Sequence, residues 1–299
     1  MNHYTRKNWI ILIALSIIWG FSFLLMKIGL KTFSWDEVAA MRITTSFIAT
    51  LPILFFHYKK IKRSEIKFYF MTGLFGSGLP SFCFTYAQTN IDSGIAGVLN
   101  SLTPAFTFIL GVWFFGMTFQ KYKMLGLTIA LLGAIILVSF DSSGKSQTGF
   151  IYALPVMLAT LSYATSANIV KRYLQHAHPL VMGAMGFLFI GIPASIYLVT
   201  TGFWNKSNME NFNESTTAIL ALSLFGTVIA SMVFYWLIQK TDSLFGTLVT
   251  YLIPVVAVIL GVLDGELITI QNIGGMLLIL VGVYIINKKD PIKKVMSVE

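Results

Sequence analysis

The chain is short of charge, of cysteine and of long polar stretches, and each shortage excludes something. Charged residues make up 11% of its 299 positions, against about 25% in an ordinary soluble domain. Apolar residues reach 56%. A globule of this size cannot hide that much apolar surface from water, so lipid must solvate a large part of it. The single cysteine, Cys83, excludes an intramolecular disulfide framework and a cysteine-ligated cluster. It lies in an apolar run, where a small packing residue is the plain reading. No large soluble appendage interrupts the apolar runs, which disfavours a sensor or assembly partner. No nucleophile-and-base constellation, phosphate loop or zinc motif is present. An enzyme acting on a lipid-linked substrate needs acid, base or metal ligands gathered at one membrane surface, and is therefore the weaker alternative. His176 and His178 flank Ala177 without other ligands nearby, so neither a metal nor another cofactor is expected.

What is present is a succession of long apolar runs. A bilayer core takes about 20 apolar residues per helix. Ten runs answer to that length: 9–30, 37–57, 66–89, 93–115, 122–140, 149–172, 179–201, 216–238, 243–263 and 269–287. Charged or turn-forming segments separate them, among them His57 to Lys67, Asp141 to Gly149 and Gly202 to Ser215. The connections at Asn90 to Ser93 and Lys240 to Ser243 are so short that their neighbours must be antiparallel. The first run is too long for a signal peptide and lacks a small-residue cleavage site, so it stays as helix 1.

The formal charge of +9 would suggest nucleic acid as a partner on a soluble protein. Here the basic residues sit in short loops, and orientation in the membrane explains them. With the N-terminus in the cytoplasm and the spans alternating, the cytoplasmic side holds Arg6, Lys7, the cluster from Lys59 to Lys67, Lys121, Lys123, Lys171, Arg172, Lys240 and the four lysines from Lys288 to Lys294. The other side holds Lys31, Lys145 and Lys206. That asymmetry follows the positive-inside rule, and missing one span would destroy it. The expectation is ten spans of a multi-pass inner (plasma) membrane protein with both termini cytoplasmic, the second ending in a basic tail over 288–299.

The chain also repeats itself. Trp19 to Lys27 aligns with Tyr163 to Lys171 at an offset of 144. Asp92, Ser93, Pro104 and Gly111 align with Asp242, Ser243, Pro254 and Gly261 at 150, and Gly126 and Gly133 with Gly275 and Gly282 at 149. The shared order makes 1–143 and 149–287 two copies of a five-helix unit. Because five is odd, the second copy enters the membrane upside down. Inverted repeats of that kind are a transporter architecture, able to expose a central site to either side in turn.

The stretch WGFSFLLMKIGL in helix 1, DEVAAMR entering helix 2, the prolines of helices 4 and 9 and GELITIQNIGG entering helix 10 resemble the EamA-type members of the drug/metabolite transporter superfamily. The resemblance spans nearly the whole chain. It implies ten helices in two inverted halves around a central cavity, and passage of small solutes, often amino acids or related metabolites; an exporter is expected. Small multidrug resistance antiporters of the same superfamily use a membrane-buried glutamate to exchange protons. No Asp or Glu stands near the middle of any span here, since Asp264 and Glu266 fall at a helix end.

The candidate substrate-binding residues follow from helical spacing. Gly97, Asn100, Ser101, Pro104 and Phe108 share a face of helix 4, and Thr247, Thr250, Tyr251, Pro254 and Val258 the equivalent face of helix 9. Each proline removes a backbone hydrogen bond and frees a carbonyl, either for a polar substrate or merely as a packing kink. Helix 1 adds Trp19, Ser22 and Lys27, helix 6 Tyr163, Ser166 and Asn168, helix 3 Tyr86 and Gln88, and helix 8 Tyr235 and Trp236. Together they suggest an aromatic-walled cavity with neutral hydrogen-bonding groups, although small polar residues also serve as glue between helices. Lys27 and Arg42 are the two ionisable groups within spans. Both lie toward the outer ends, where they can snorkel or pair with Asp36 or Glu37. Structural pairing is favoured for Arg42, while Lys27 is open between pairing and attracting a substrate carboxylate. The glycine pairs of helices 5 and 10 favour close helix packing, within one chain or between two copies of a homodimer.

Overall fold

A computed structural model describes residues 5–139, 146–267 and 269–287. The basic tail over 288–299 and the connection carrying Lys145 lie outside the described residues. Among the described residues the regular structure is helical, with no strand. In chain order the helices are α1 (Arg6–Gly29), α2 (Trp35–His57), α3 (Ile66–Gly73), α4 (Leu79–Ala87), α5 (Ser93–Asn100), α6 (Thr103–Phe114) and α7 (Lys121–Ser139). They continue as α8 (Ser146–Tyr173), α9 (Pro179–Thr200), α10 (Phe212–Ala221), α11 (Ala230–Lys240), α12 (Ser243–Thr247), α13 (Val249–Leu263) and α14 (Ile270–Asn287).

Local chemistry sets several boundaries. Glu37 accepts the Ser34 backbone N–H at 2.8 Å at the start of α2, one arm of a capping box. Pro179 opens α9, where the missing N–H costs nothing. The Asp242 carboxylate accepts the Phe245 N–H at 2.8 Å and starts α12.

Seven of the described stretches are long and apolar enough to cross a membrane: 6–29, 35–60, 93–114, 151–173, 179–200, 212–240 and 243–263. The helical run from Ile66 to Ala87 is diluted by Gly73, Gly76, Ser77, Gly78, Pro80 and Ser81 and falls outside that count. So do α7 and α14.

Four of the runs expected as single helices are interrupted. Leu74–Gly78 joins α3 to α4 as a π-helical segment, and Leu222–Ile229 joins α10 to α11 in the same way. Such widened turns alter which carbonyls are free and which side chains face inward. A tight turn at Ser101 and Leu102 separates α5 from α6, and Leu248 separates α12 from α13.

The molecule is turned inside out relative to a soluble protein. Phe55 (75% exposed), Ile196 (64%) and Leu277 (58%) stand on the outside, while Ser16, Ser46, Thr50, Ser81, Thr85 and Thr107 are fully buried. These hydroxyls bond to a carbonyl one turn back, as Thr85 does to Ser81 O at 2.8 Å, so burial leaves no donor unpaired. Ser16 also reaches Val249 O at 3.0 Å and ties α1 to α13.

Glycine decides the closest approaches. A Cβ on Gly126 would sit 2.5 Å from Gly282 O, and one on Gly133 would sit 2.8 Å from Gly275 O. The glycine stripes therefore pack α7 against α14 within the chain, which resolves where this close packing is used. A Cβ on Gly73 would sit 2.5 Å from Gly186 O, so α3 and α9 touch backbone to backbone.

Candidate functional site

The helices leave a small, partly open central cavity between both halves of the chain. Helix α1 contributes Trp19, Ser22, Phe23 and Met26, and α2 contributes Arg42. The π-segments supply Gly76, Ser77 and Gly226, with Phe84 from α4. Asn100 and Thr103 come from the two sides of the α5–α6 turn, and Thr247 and Thr250 from the two sides of the α12–α13 break. Tyr163 and Ser166 of α8 and Ser231, Phe234 and Tyr235 of α11 complete the wall.

One flank is aromatic. Phe84 stacks on Tyr163 with centroids 5.9 Å apart and meets Phe23 edge-on at 5.5 Å, while Trp19 meets Phe234 edge-on at 5.1 Å. Trp19 is fixed by its indole N–H, which donates to Gly226 O at 2.8 Å. Gly226 must be glycine at this approach: a Cβ there would sit 2.6 Å from Ser22 Oγ. The other flank is polar. A Cβ on Gly76 would lie 2.7 Å from Ser166 Oγ and 2.8 Å from the Tyr235 hydroxyl, so the π-segment runs directly over both oxygens.

Of the residues expected at the site, Trp19, Ser22, Asn100, Tyr163, Ser166, Tyr235, Thr247 and Thr250 line the cavity. The other expected residues stand elsewhere. Ser101 is fully buried and bonds to Val98 O at 2.6 Å. Asn168 donates to Thr107 O at 3.0 Å and accepts from Ser243 at 3.2 Å, joining α8 to α6 and α12. Tyr86 packs edge-on against Trp35 with centroids 5.2 Å apart. Tyr251 packs at the margin of the central apolar core.

The prolines do not line the cavity either. Pro104 stands in the first turn of α6, where a missing N–H breaks no helix. The Asn100 carbonyl, four residues before it, accepts the Thr103 hydroxyl at 2.7 Å. Pro254 is buried within α13.

Lys27 points away from the cavity to one end of the molecule, 2.6 Å from Asp264 and 3.0 Å from Glu266. Its partners are these two acids, on the connection after α13, rather than Asp36 or Glu37. Glu266 also accepts from Ser93 Oγ at 2.6 Å and from the N–H groups of Ser93 and Gly94 at 3.1 Å. Burial disfavours its ionisation, but the hydrogen bonds from Ser93, Gly94 and Lys27 outweigh that and hold the carboxyl below its ordinary range.

The pairing expected for Arg42 is also overturned. Glu37 takes the Ser34 N–H and Lys206, and Asp36 takes the Tyr197 hydroxyl. Arg42, 6% exposed, donates from Nε to Thr227 Oγ1 at 2.6 Å. Helix geometry carried the signal: positions five and six apart do not face one another, so neither acid could meet Arg42 on α2. Among the described residues no three His, Cys, Asp or Glu side chains gather as a metal ligand set, and His57 and His178 lie with ring centroids 5.3 Å apart. Burial, Lys60 and His57 push the His178 imidazole below its ordinary pKa.

A helical membrane protein with a central cavity walled by both halves belongs to the transporter class of folds. The EamA-like transporter family model matches the chain twice, over residues 7–139 and 150–288, and the chain belongs to that family. Its relatives include a protein named "Uncharacterized transporter" from Archaeoglobus fulgidus, 26% identical, with 95% of this chain and 99% of the relative covered. A "Probable amino-acid metabolite efflux pump" of Salmonella typhimurium is 24% identical, covering 94% and 95%. The "Uncharacterized inner membrane transporter YedA" of Escherichia coli K12 is 28% identical, covering 85% and 82%. One crystal structure superposes with a TM-score of 0.65 at 15% identity, covering 95% of this chain and 97% of that one, a likeness of fold alone. The protein is thus a multi-pass membrane transporter.

Proposed function

We propose that the chain is an alternating-access carrier that exports a small metabolite, an amino acid or related amphipathic solute, across the plasma membrane. It would do so with ten spans arranged as inverted halves, 1–143 and 149–287, and with both termini cytoplasmic. The observation that carries this reading is the makeup of the cavity wall. Trp19 and Ser22 line it from α1, and their repeat equivalents Tyr163 and Ser166 line it from α8. A site built from matched positions of two halves is what alternating access requires, because exchanging the arrangements of the halves exchanges the open side.

Helix pairing supports the same symmetry. The helices α2 and α9 pack together, as do α7 and α14, and each is the other's equivalent. The contact of α1 with α13 is matched by that of α8 with α6, and α1 against α10 and α11 by α8 against α3 and α4. The π-segments recur in the equivalent third helix of each half. The name of the Salmonella relative favours an amino-acid metabolite and outward transport.

Purified protein in liposomes, given a panel of labelled amino acids and related metabolites, tests the reading. Saturable flux of a subset is expected, reduced about tenfold or more by Asn100→Ala and by Thr250→Val. Flux of no solute in the panel would reject the carrier. Flux indifferent to both substitutions would reject the cavity as its site. Topology is testable with single cysteines at Lys62 and Ser207 labelled by a membrane-impermeant maleimide, because Cys83 is buried and silent. Labelling of both from the same side would break the alternation.

A further inference from the structure

Among the described residues, Arg42 is the only charged one lining the cavity. Among the described residues no carboxylate pairs with it. Its surroundings are neutral: Thr227 Oγ1 on Nε, Met26 Sδ 3.9 Å from a terminal nitrogen, and the Tyr163 side chain beside it. A guanidinium carries five N–H donors in a rigid fork and keeps its charge in proteins. Buried in a span without a counter-ion, it is costly, and such a residue marks a function by default. The cost falls away when an anion enters from the cavity and takes the free edge of the fork.

Resting on the carrier reading of this cavity, we propose that Arg42 is the anion receptor of the transport site and that the substrate is a small amphipathic monocarboxylate. The charge count limits the anion. With one cation in the wall, a single negative charge is neutralised, while a phosphate dianion would keep an uncompensated charge in a low-dielectric site. The rings of Trp19, Phe23, Phe84 and Phe234 set the remainder of the ligand as apolar or aromatic. Among the described residues no Asp or Glu lines the cavity, so an ammonium on the same substrate would find hydroxyls, amide oxygens and ring faces there. A carboxylate is therefore the recognised group and an amine is optional. An organic cation finds no opposite charge there.

The test uses the full chain in lipid nanodiscs and follows ligand binding by thermal shift and by intrinsic tryptophan fluorescence. The probes are matched sets: phenylalanine, 3-phenylpropionate, phenylalanine methyl ester and phenethylamine. The two acids should bind about tenfold or more tightly than the ester and the amine. Arg42→Gln should abolish that preference, and Arg42→Lys, which keeps the charge but not the fork, should narrow it. Tyr163→Phe preserves the ring and removes only the hydroxyl, so it should fold, and it should narrow the preference by a smaller factor. Ester and amine binding as well as the acids would overturn the proposal, as would failure of either acid to bind or an acid preference unchanged in Arg42→Gln and Arg42→Lys. Liposome flux separates the two readings. Transport confined to solutes without a carboxylate sinks the role of Arg42 and keeps the carrier. Acid binding through Arg42 without transport of any solute keeps the receptor and sinks the carrier.

Discussion

The corners that follow α6 and α13 are similar in outline, the second one residue shorter, and are finished with different chemistry. At the first, Met117 N–H returns to Gly111 O at 2.8 Å and Gly116 adopts φ +74°; at the second, Glu266 N–H returns to Gly261 O at 2.8 Å and Gly265 adopts φ +87°. Positive φ at both places calls for glycine. In each corner the side chain after that glycine folds back over the helical glycine, as Met117 over Gly111 and Glu266 over Gly261. The thioether fills space and binds nothing strongly. The carboxylate gathers Lys27, Ser93 and Gly94, and so joins α1, α5 and the α13–α14 connection at one end of the molecule. At the other end Lys171, the repeat equivalent of Lys27, donates to Thr241 O at 2.6 Å instead. The repeat supplies a similar turn twice, and one divergent side chain puts an ion-paired carboxylate in one corner where the other has a thioether.

The comparison can be broken in four places, taken from the largest expected effect. Glu266→Ala removes the hub of the ionic corner and leaves Ser93 and Gly94 without their acceptor. A loss of roughly 2–4 kcal/mol is expected, read as a lower Tm in detergent. The wild-type corner is also pH-dependent with a fixed sign. The carboxyl pKa is depressed in the folded protein, so its contribution is complete above the unfolded value of about 4.3. It disappears as pH falls through the folded value. Wild-type Tm should fall with acidification below that range more steeply than that of Glu266→Ala. Equal slopes would remove Glu266 from the account.

Gly261→Ala comes next. The new Cβ would strike a carboxylate pinned by several partners, and a loss of about 1–3 kcal/mol is expected. Lys27→Met should cost less, under about 1 kcal/mol, because Lys27 is 37% exposed and solvent screens its ion pairs. The difference from wild type should shrink further in high salt; a salt-independent loss would mean packing rather than charge. Gly111→Ala should be nearly neutral. Its Cβ meets the flexible end of Met117, and the helix gains about 1 kcal/mol of propensity to offset the shift. If Gly111→Ala destabilises as much as Gly261→Ala, the two corners are energetically alike and the asymmetry drawn here is wrong.

Much of the site was legible because the repeat register and the helical stripes depend only on spacing. They brought Trp19, Ser22, Asn100, Tyr163, Ser166, Tyr235, Thr247 and Thr250 to the cavity. Their failures are angular. Ser101 and Tyr251 each follow a lining residue by one step of about 100°, enough to turn them out of the cavity. Thr103 was passed over because it lies beyond a tight turn that periodicity does not show. Gly76, Ser77 and Gly226 were passed over because a π-segment shifts the phase of its helix without a sequence mark.

By itself the sequence determined the membrane setting, the succession of apolar runs and their twofold repetition, since hydropathy, charge bias and residue spacing are properties of the chain alone. Tertiary structure decided which ionisable group would meet a partner. Lys27 and Arg42 look alike in sequence, each an ionisable group within a span, but Lys27 met Asp264 and Glu266 across the fold while Arg42 met no carboxylate among the described residues. Electrostatic pairing depends on distance in space, and the nearest charge along a helix stands on another face unless it is three or four residues away.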